Sequence, residues 1–220
     1  MIERLGLAAL ELLFPVRCLG CGRPGLAWCG NCRPRSAIRR VRVPAVTVAA
    51  GCDYAGPVRR AVVHFKERGR RELAVPLAEL LAGAIADLVP CSPARLVLVP
   101  VPSSSGNRRD RGGDHLLRLL AALPATLPPS LRDRVSIEAG ALTLHRRVAD
   151  AAGLDREQRA HNIARAMRAR APDGTGAALI IDDIVTTGAT IAEAARALRV
   201  AGWTVLGAAA VAATPRRRSD

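Results

Sequence analysis

The chain has 220 residues, half of them apolar, so it can form a substantial core, and this excludes a fully disordered protein. Trp, Tyr and Phe together make up only 2% of the residues, so the core must be built from Ala, Val, Leu and Ile, which suits helices packed closely on a sheet. The net charge is +14, and nearly all of the positive side chains are arginines, with Lys66 as the only lysine. The positive charge is spread along the chain, which indicates a basic surface that accepts phosphorylated ligands rather than a dedicated DNA-binding face.

The N-terminal stretch 1–18 is apolar enough to be mistaken for a secretory signal or a membrane span. Glu3 and Glu11 interrupt its apolar run, the run is too short for a span, and no small-residue cleavage site follows it. We therefore expect an amphipathic helix here that docks on its own protein. No other stretch has the length and hydropathy of a membrane span, which predicts a cytoplasmic protein.

Four of the six cysteines lie close together with the spacing C-x2-C-x7-C-x2-C. They are Cys18, Cys21, Cys29 and Cys32. Two C-x2-C knuckles can supply four thiolates in a tetrahedron, which predicts a structural Zn²⁺ site with no open position for substrate. Two local disulfides or a lone redox pair are the alternatives, and a cytosolic setting argues against disulfides. Cys52 and Cys91 stand apart, and we expect both to be small core residues.

After an Arg- and Pro-rich connector at 33–45, hydrophobic patterning predicts strands that alternate with helices. The predicted strands are 46–54, 95–102, 177–182 and 203–211. The predicted helices are 56–69, 72–89, 114–123, 154–169 and 188–201, with a polar loop at 103–113. This alternation favours an α/β fold with a largely parallel sheet. The predicted organisation is an N-terminal helix and zinc-ribbon-like module at 1–45, followed by an α/β domain at 46–220.

The segment 177–193, ALIIDDIVTTGATIAEA, joins a predicted buried strand to a predicted helix. The strand delivers Asp182 and Asp183 to its carboxyl end, where parallel sheets form their ligand crevice. The helix begins near Gly188, and its unpaired N–H groups, together with the hydroxyls of neighbouring threonines, are typical of a phosphate site. These features predict an anion held beside a polyol whose hydroxyls bind the carboxylates. A simpler interpretation is a helix N-cap at Thr187 with both aspartates solvated.

The stretch LIIDDIVTTGAT resembles the phosphoribosyl-pyrophosphate signature of type I phosphoribosyltransferases, which has an apolar strand, two acidic residues and a Thr-Gly-x-Thr loop. The whole chain resembles the ComF family, named for bacterial competence for DNA uptake, in which a four-cysteine module precedes such a domain. The resemblance extends over LLFPVRCLGCG, HFKERGR, VPVP, RDRGG and EQRAHN. It implies a type I phosphoribosyltransferase-like parallel sheet flanked by helices.

The resemblance also implies roles for particular residues. Asp182 and Asp183 would bind the ribose 2′ and 3′ hydroxyls, and Arg111 would pair with the pyrophosphate, which makes these three the implied catalytic residues. The implied 5′-phosphate loop consists of Val185, Thr186, Thr187, Gly188, Ala189 and Thr190. A hood over the site is implied at 144–162, and it offers Arg146, Arg147, Arg159 and Asn162.

The implied activity is transfer of the phosphoribosyl group from phosphoribosyl pyrophosphate, with Mg²⁺, to an acceptor such as a nitrogen base. Carboxylates near the sugar would stabilise an oxocarbenium-like centre, while magnesium and arginine would stabilise the leaving pyrophosphate. The alternative is a non-catalytic module that senses phosphoribosyl pyrophosphate or a nucleotide while its zinc knuckle contacts DNA or a DNA-uptake helicase. Basic charge and zinc favour this alternative, whereas the paired aspartates and the arginine loop favour the enzyme.

Two further residues stand out. Lys66 is the only lysine, which indicates that a compact ammonium is required there, although chance survival of one lysine explains it equally well. His115 lies beside the implied pyrophosphate loop, at 113–115, where the family usually has an aromatic residue and an amide. The other three histidines lack metal-ligand spacing and are interpreted as surface or capping residues.

Overall fold

A computed structural model of the chain describes residues 16–89, 95–102, 114–145, 163–174 and 176–215. Its main element is a six-stranded sheet, accompanied by a separate two-stranded sheet. The strands are β1 Arg39–Val43, β2 Val46–Asp53, β3 Leu96–Pro100, β4 Val135–Ile137, β5 Leu142–Leu144, β6 Met167–Ala169, β7 Ala177–Val185 and β8 Thr204–Ala213. The helices are α1 Gly56–Glu67, α2 Ala74–Leu88, α3 His115–Ala122, α4 Pro129–Arg132 and α5 Ala189–Val200, with short 3₁₀ turns at Arg71–Leu73 and Leu123–Ala125.

The six strands of the main sheet lie in the order β1-β2-β8-β7-β3-β4. β1 is antiparallel to β2, whereas every other neighbouring pair in this sheet is parallel. Leu179, Ile180 and Ile181 in the interior strand β7 are all fully buried. Since consecutive strand residues point to opposite faces, both faces of the sheet are covered at this strand. The predicted α/β fold with a mostly parallel sheet is confirmed.

Small residues let the helices approach the sheet closely. A Cβ added to Gly51 in β2 would lie 2.2 Å from the carbonyl oxygen of Leu80 in α2, so the helix backbone occupies the space of a side chain. In β8, Ala208, Ala209 and Ala210 are fully buried. α2 packs against β2 and β8, and α5 packs against β6, β7 and β8. An aliphatic core of this kind needs few aromatic residues, as the composition indicates.

The four strands predicted at 46–54, 95–102, 177–182 and 203–211 are confirmed, as are four of the predicted helices. Their ends differ from the predicted ends by at most three residues. Local signals account for this agreement. Asp114 caps α3 by accepting a hydrogen bond from the N–H of Leu116, and Gly69, with a φ of +63°, follows α1 where a helix stop was expected.

The helix predicted at 154–169 is wrong at its C-terminal end. Met167–Ala169 is strand β6, which pairs with β5 in an antiparallel ladder. Arg165 has a left-handed backbone with a φ of +51°, which interrupts a right-handed helix before the strand begins. The buried Glu193 of α5 accepts a hydrogen bond from the N–H of Met167 at 3.0 Å. Tertiary contacts therefore override the helical pattern at this end, and residues 154–162 lie outside the described part of the chain.

Strand β1 lies within the segment 33–45, for which only a connector was predicted. It pairs with β2 through a tight turn at 44–45, so the chain enters the main sheet before residue 46. The division into modules at 1–45 and 46–220 stays a prediction. Within the described residues no helix combines the length and the apolar character that crossing a bilayer requires. The N-terminal helix predicted for 1–18 falls almost entirely outside the described residues.

Candidate functional site

The four cysteines of the two C-x2-C pairs come together in one cluster. Their Sγ atoms all lie within 4.8 Å of one another, with 3.6 Å between Cys18 and Cys29 and 3.8 Å between Cys21 and Cys29. Four sulfurs in a tetrahedron, each about 2.3 Å from one zinc ion, would be separated by about 3.8 Å, so the cluster could bind Zn²⁺. The described cysteines are all free thiols rather than disulfides.

A glycine and backbone N–H groups shape this cysteine cluster. A Cβ on Gly20 would lie 2.5 Å from the Cβ of Cys32, so the turn closes only with glycine at this position. Burial opposes ionisation of the Cys18 thiol, but hydrogen bonds from backbone N–H groups, including those of Cys29 and Gly20, lower its pKa to about 6. By contrast, a hydrogen bond with the Cys29 thiol and burial raise the pKa of Cys32 to about 12. Of these two thiols, Cys18 is therefore the one that ionises first.

The cysteine cluster is anchored to the α/β body. Nε of Arg60, in α1, donates a hydrogen bond to the carbonyl oxygen of Leu19 at 2.8 Å. The indole N–H of the buried Trp28 donates to the carbonyl oxygen of Cys32 at 2.9 Å. The contact of Arg60 thus holds the cysteine cluster against the first helix of the body, whereas the contact of Trp28 is internal to the segment 18–32.

The paired aspartates lie at the carboxyl end of β7. This strand pairs with β3 only as far as Ile181, opposite Pro100, but it continues along β8 as far as Val185. The last four residues of β7 therefore project beyond β3, and both aspartates belong to this projection. The strand is longer than the predicted 177–182, yet the acids occupy the predicted edge of a parallel sheet.

Asp183 is held by two side chains from different helices. Only 8% of Asp183 is exposed, and its Oδ2 accepts a hydrogen bond from Nζ of Lys66 at 2.7 Å. Nε2 of His115 lies 2.9 Å from the same oxygen. Burial works against ionisation, but the hydrogen bond from His115 and the charge of Lys66 outweigh it and hold the pKa of Asp183 well below its usual range. Asp183 is therefore a buried, paired carboxylate.

Asp182 differs from its neighbour in exposure and in the direction of its pKa shift. Its side chain is half-buried, and its Oδ1 accepts a hydrogen bond from the N–H of Asp183 at 2.8 Å. Desolvation at the strand end and the negative charge of Asp183 raise the pKa of Asp182 well above its usual value. Two adjacent acids thus have opposite shifts, and Asp182 is the one with surface open to a ligand.

The loop after β7 requires glycine for two reasons. Gly188 has a φ of +80°, and a Cβ added to it would lie 2.3 Å from Cγ2 of Val43 in β1. Oγ1 of Thr187 accepts a hydrogen bond from the N–H of Ala189 at 3.3 Å, but the N-cap residue of α5 is Gly188, and α5 has no side-chain cap. The simpler interpretation of the motif placed the N-cap at Thr187, one residue before its position in the structure. It also required two solvated aspartates, and Asp183 is instead buried and paired.

A cleft of about 690 Å³ adjoins this loop. Its lining includes Thr186 and Thr187 from the loop and the exposed Arg39, Arg40 and Arg42 from β1. Arg39 and Arg40 each form an ion pair with an aspartate, at 2.5 and 3.0 Å. The cleft is positively charged and large enough for a small organic anion.

The structure brings together some of the predicted site residues and leaves others undescribed. Asp182, Asp183 and the segment 185–190 are contiguous at one end of β7 and the start of α5. Of the residues that the sequence analysis singled out, those outside the described part of the chain are Arg111, Arg146, Arg147, Arg159, Asn162 and Cys91. Sequence reasoning singled out Lys66 and His115 without giving them a common partner, because nothing local connects α1, α3 and β7.

No protein-family model matches the chain, and no curated protein matches it. The findings are an α/β fold with a mostly parallel six-stranded sheet and an N-terminal cluster of four cysteines. The resemblance to the ComF family rests on the sequence motifs.

Proposed function

We propose that this protein is a ComF-type phosphoribosyltransferase, which binds phosphoribosyl pyrophosphate with Mg²⁺ and transfers the phosphoribosyl group to a nitrogen base. One observation carries the proposal. Asp182 and Asp183 end an interior parallel strand, and the chain then turns through two threonines and Gly188 into the start of α5. Acids suited to a diol and N–H groups suited to a phosphate are thus a few residues apart, as a sugar phosphate requires.

The proposed reaction breaks the bond between C1 of the ribose and an oxygen of the pyrophosphate, and it forms a bond from C1 to the acceptor nitrogen. The electron pair of the broken bond leaves with the pyrophosphate, and the proton of the acceptor nitrogen passes to solvent. Positive charge develops on the sugar ring, where the carboxylates of Asp182 and Asp183 would stabilise it. The roles implied for Arg111 at the pyrophosphate and for Arg146 and Arg147 in the hood stay predictions.

The two metal ions of the proposal have different origins. Outside the cysteine cluster, the described residues contain no group of three or more His, Cys, Asp or Glu that could hold a metal ion. Mg²⁺ needs few protein ligands when phosphate oxygens complete its shell, so in this proposal it enters bound to the substrate's pyrophosphate. A Zn²⁺ ion held by four cysteines has no open position, so its role is to stabilise the fold of the knuckle.

Calorimetric titration with phosphoribosyl pyrophosphate and Mg²⁺ tests the ligand and the site together. Wild-type protein should release heat on binding, and the Asp182→Asn/Asp183→Asn variant should bind much more weakly. Asp133→Asn is the matched control, because Asp133 is an exposed aspartate outside the proposed site. Thermal melting of each variant confirms that it is folded. The site assignment is wrong if the double variant binds as tightly as the control.

Pyrophosphate release, screened across a panel of nitrogen bases, separates an enzyme from a sensor. An enzyme should release pyrophosphate in the presence of at least one base, at a rate that falls in the double variant. Tight ligand binding without release by any base would favour the non-catalytic sensing module instead.

A nucleic-acid-binding role is the second candidate, and the exposed row of Arg39, Arg40 and Arg42 favours it. Such a module would contact DNA, or a DNA-uptake helicase, through its basic surface and its zinc knuckle. Binding carried by phosphate contacts should weaken steeply as salt rises. Fluorescence anisotropy with labelled single-stranded and double-stranded DNA measures this, and replacing the three arginines with glutamine should abolish binding. No binding of the wild-type protein at low salt would exclude direct DNA contact.

A further inference from the structure

We propose that Lys66 and His115 are positioning residues of the sugar site, which hold Asp183 fixed and ionised so that Asp182 is the acid that contacts the ligand's diol. This inference deepens the proposed function and rests on it. Lys66 lies in the last turn of α1, and His115 is the first residue of α3. Two helices that are distant in sequence from β7 therefore converge on one carboxylate.

The contacts around Asp183 fix its orientation. Lys66 and His115 both bind Oδ2, at 2.7 and 2.9 Å, and the side chains of His115 and Asp183 are each only 12% exposed. Two donors on one oxygen prevent the carboxylate from rotating about its terminal bond. A carboxylate held in this way is a fixed charge rather than an adaptable ligand.

The contacts of Asp182 leave it free for a ligand. Its Oδ1 accepts the N–H of Asp183, while the rest of its side chain is partly exposed at the strand end. Two neighbouring carboxylates with limited access to water repel each other strongly. The ammonium of Lys66 offsets that repulsion, so the pair keeps a negative charge and Asp182 keeps its orientation. The ligand would then contact the accessible side chain of Asp182, while the constrained Asp183 stays paired with Lys66 and His115.

The chemistry of this contact explains why a lysine stands in a chain that otherwise uses arginine. An ammonium is a compact charge that binds a single carboxylate oxygen, whereas a guanidinium is a planar fork that favours two parallel hydrogen bonds. Here one oxygen is shared with His115. We therefore expect Lys66→Arg to be a poor substitute for the native residue.

Titration with phosphoribosyl pyrophosphate and Mg²⁺ measures the effect of each positioning residue. Lys66→Met should raise Kd by about tenfold to a hundredfold, the effect of losing a charge-assisted hydrogen bond. His115→Phe should weaken binding, whereas His115→Gln, whose amide N–H can replace Nε2–H, should restore most of the affinity. Arg59→Met is the matched control, because Arg59 is an exposed cation on the same helix. It should bind like the wild type.

A double-mutant cycle distinguishes positioning from general damage to the fold. If Lys66 acts through Asp183, then Lys66→Met should cause no further loss of affinity in an Asp183→Asn background. Additive losses would overturn the inference. The Lys66→Met/Asp183→Asn protein should also fold if Lys66→Met alone does not, because it contains no uncompensated charge at this position.

The outcomes separate this inference from the function on which it rests. Wild-type protein that gives no heat refutes the proposed function, and the inference with it. Wild-type protein that binds, together with Lys66→Met protein that binds equally well, refutes the inference alone. A thermal-unfolding cycle on the same variants needs no ligand. Coupling between Lys66 and Asp183 is expected there, and independent effects on melting temperature would show that the ion pair does not hold Asp183.

Discussion

Replacing Gly188 with alanine tests the turn that joins β7 to α5. Gly188 has a φ of +80°, and the added Cβ would lie 2.3 Å from Cγ2 of Val43. A left-handed backbone costs a non-glycine residue about 1–2 kcal/mol, and forcing a methyl group into filled space costs about 1–3 kcal/mol. We therefore expect the free energy of unfolding to fall by about 2–5 kcal/mol, a large share of the ~5–15 kcal/mol that is typical of a domain.

The assay is urea unfolding, followed by the fluorescence of Trp28 and Trp203, both of which are buried. Gly202→Ala is the matched control, because Gly202 has a φ of +92° but no atom within 4 Å of its Cβ position. It should lose only the backbone contribution, about 1–2 kcal/mol. Adding Val43→Ala to Gly188→Ala should recover part of the contact cost. Equal losses at the two glycines would refute the reasoning, since Val43 would then not fill the space beside Gly188.

The remaining predictions concern the metal and the charges. Purified protein should carry about one zinc ion per chain by elemental analysis. Gly20→Ala should lose the zinc, because its Cβ would lie 2.5 Å from the Cβ of Cys32. Gly30→Ala should keep the zinc, because the space at its Cβ position is open. Full zinc content in Gly20→Ala would contradict the geometry of the cysteine cluster. The pKa of Asp183 is lowered on folding, so its contribution to stability is complete above its unfolded pKa of about 4 and is lost as the pH falls below that value. Asp183→Asn should therefore flatten the acid limb of a plot of unfolding free energy against pH. The shift of Asp182 has the opposite sign. Because its pKa is raised on folding, its ionisation costs stability as the pH rises, and calorimetry at pH 7 should give Asp182→Asn a higher melting temperature than the wild type. A lower melting temperature would contradict the raised pKa.

The parts of the fold that could be predicted are those with strong local signals. The interior strands β3, β7 and β8 each contain an uninterrupted apolar run, and the helices between them have glycine, proline or aspartate at their ends. The cysteine cluster also has a local signature, since each C-x2-C pair is complete within four residues. For these elements, sequence and tertiary environment favour the same conformation.

The parts that could not be predicted depend on distant residues. β1 consists of arginines and valines, which do not form an apolar run, and it becomes a strand only by pairing with β2. β6 has a helical pattern but is held extended by β5 and by Glu193 in α5. At the site, the acids of β7 were predictable from their motif. Their unequal environments were not, because Lys66 and His115 reach Asp183 from 117 and 68 residues away in the chain.

The arginines of β1 also bear on contacts between copies of the protein. β1 is the outer strand of the main sheet, and an uncovered outer strand is a template to which the strand of another molecule can add. Exposed cations at Arg39, Arg40 and Arg42 place like charges against any second copy that approaches this edge. Such repulsion would oppose the addition of a second strand at this edge, which is a role for these arginines that involves no polyanion.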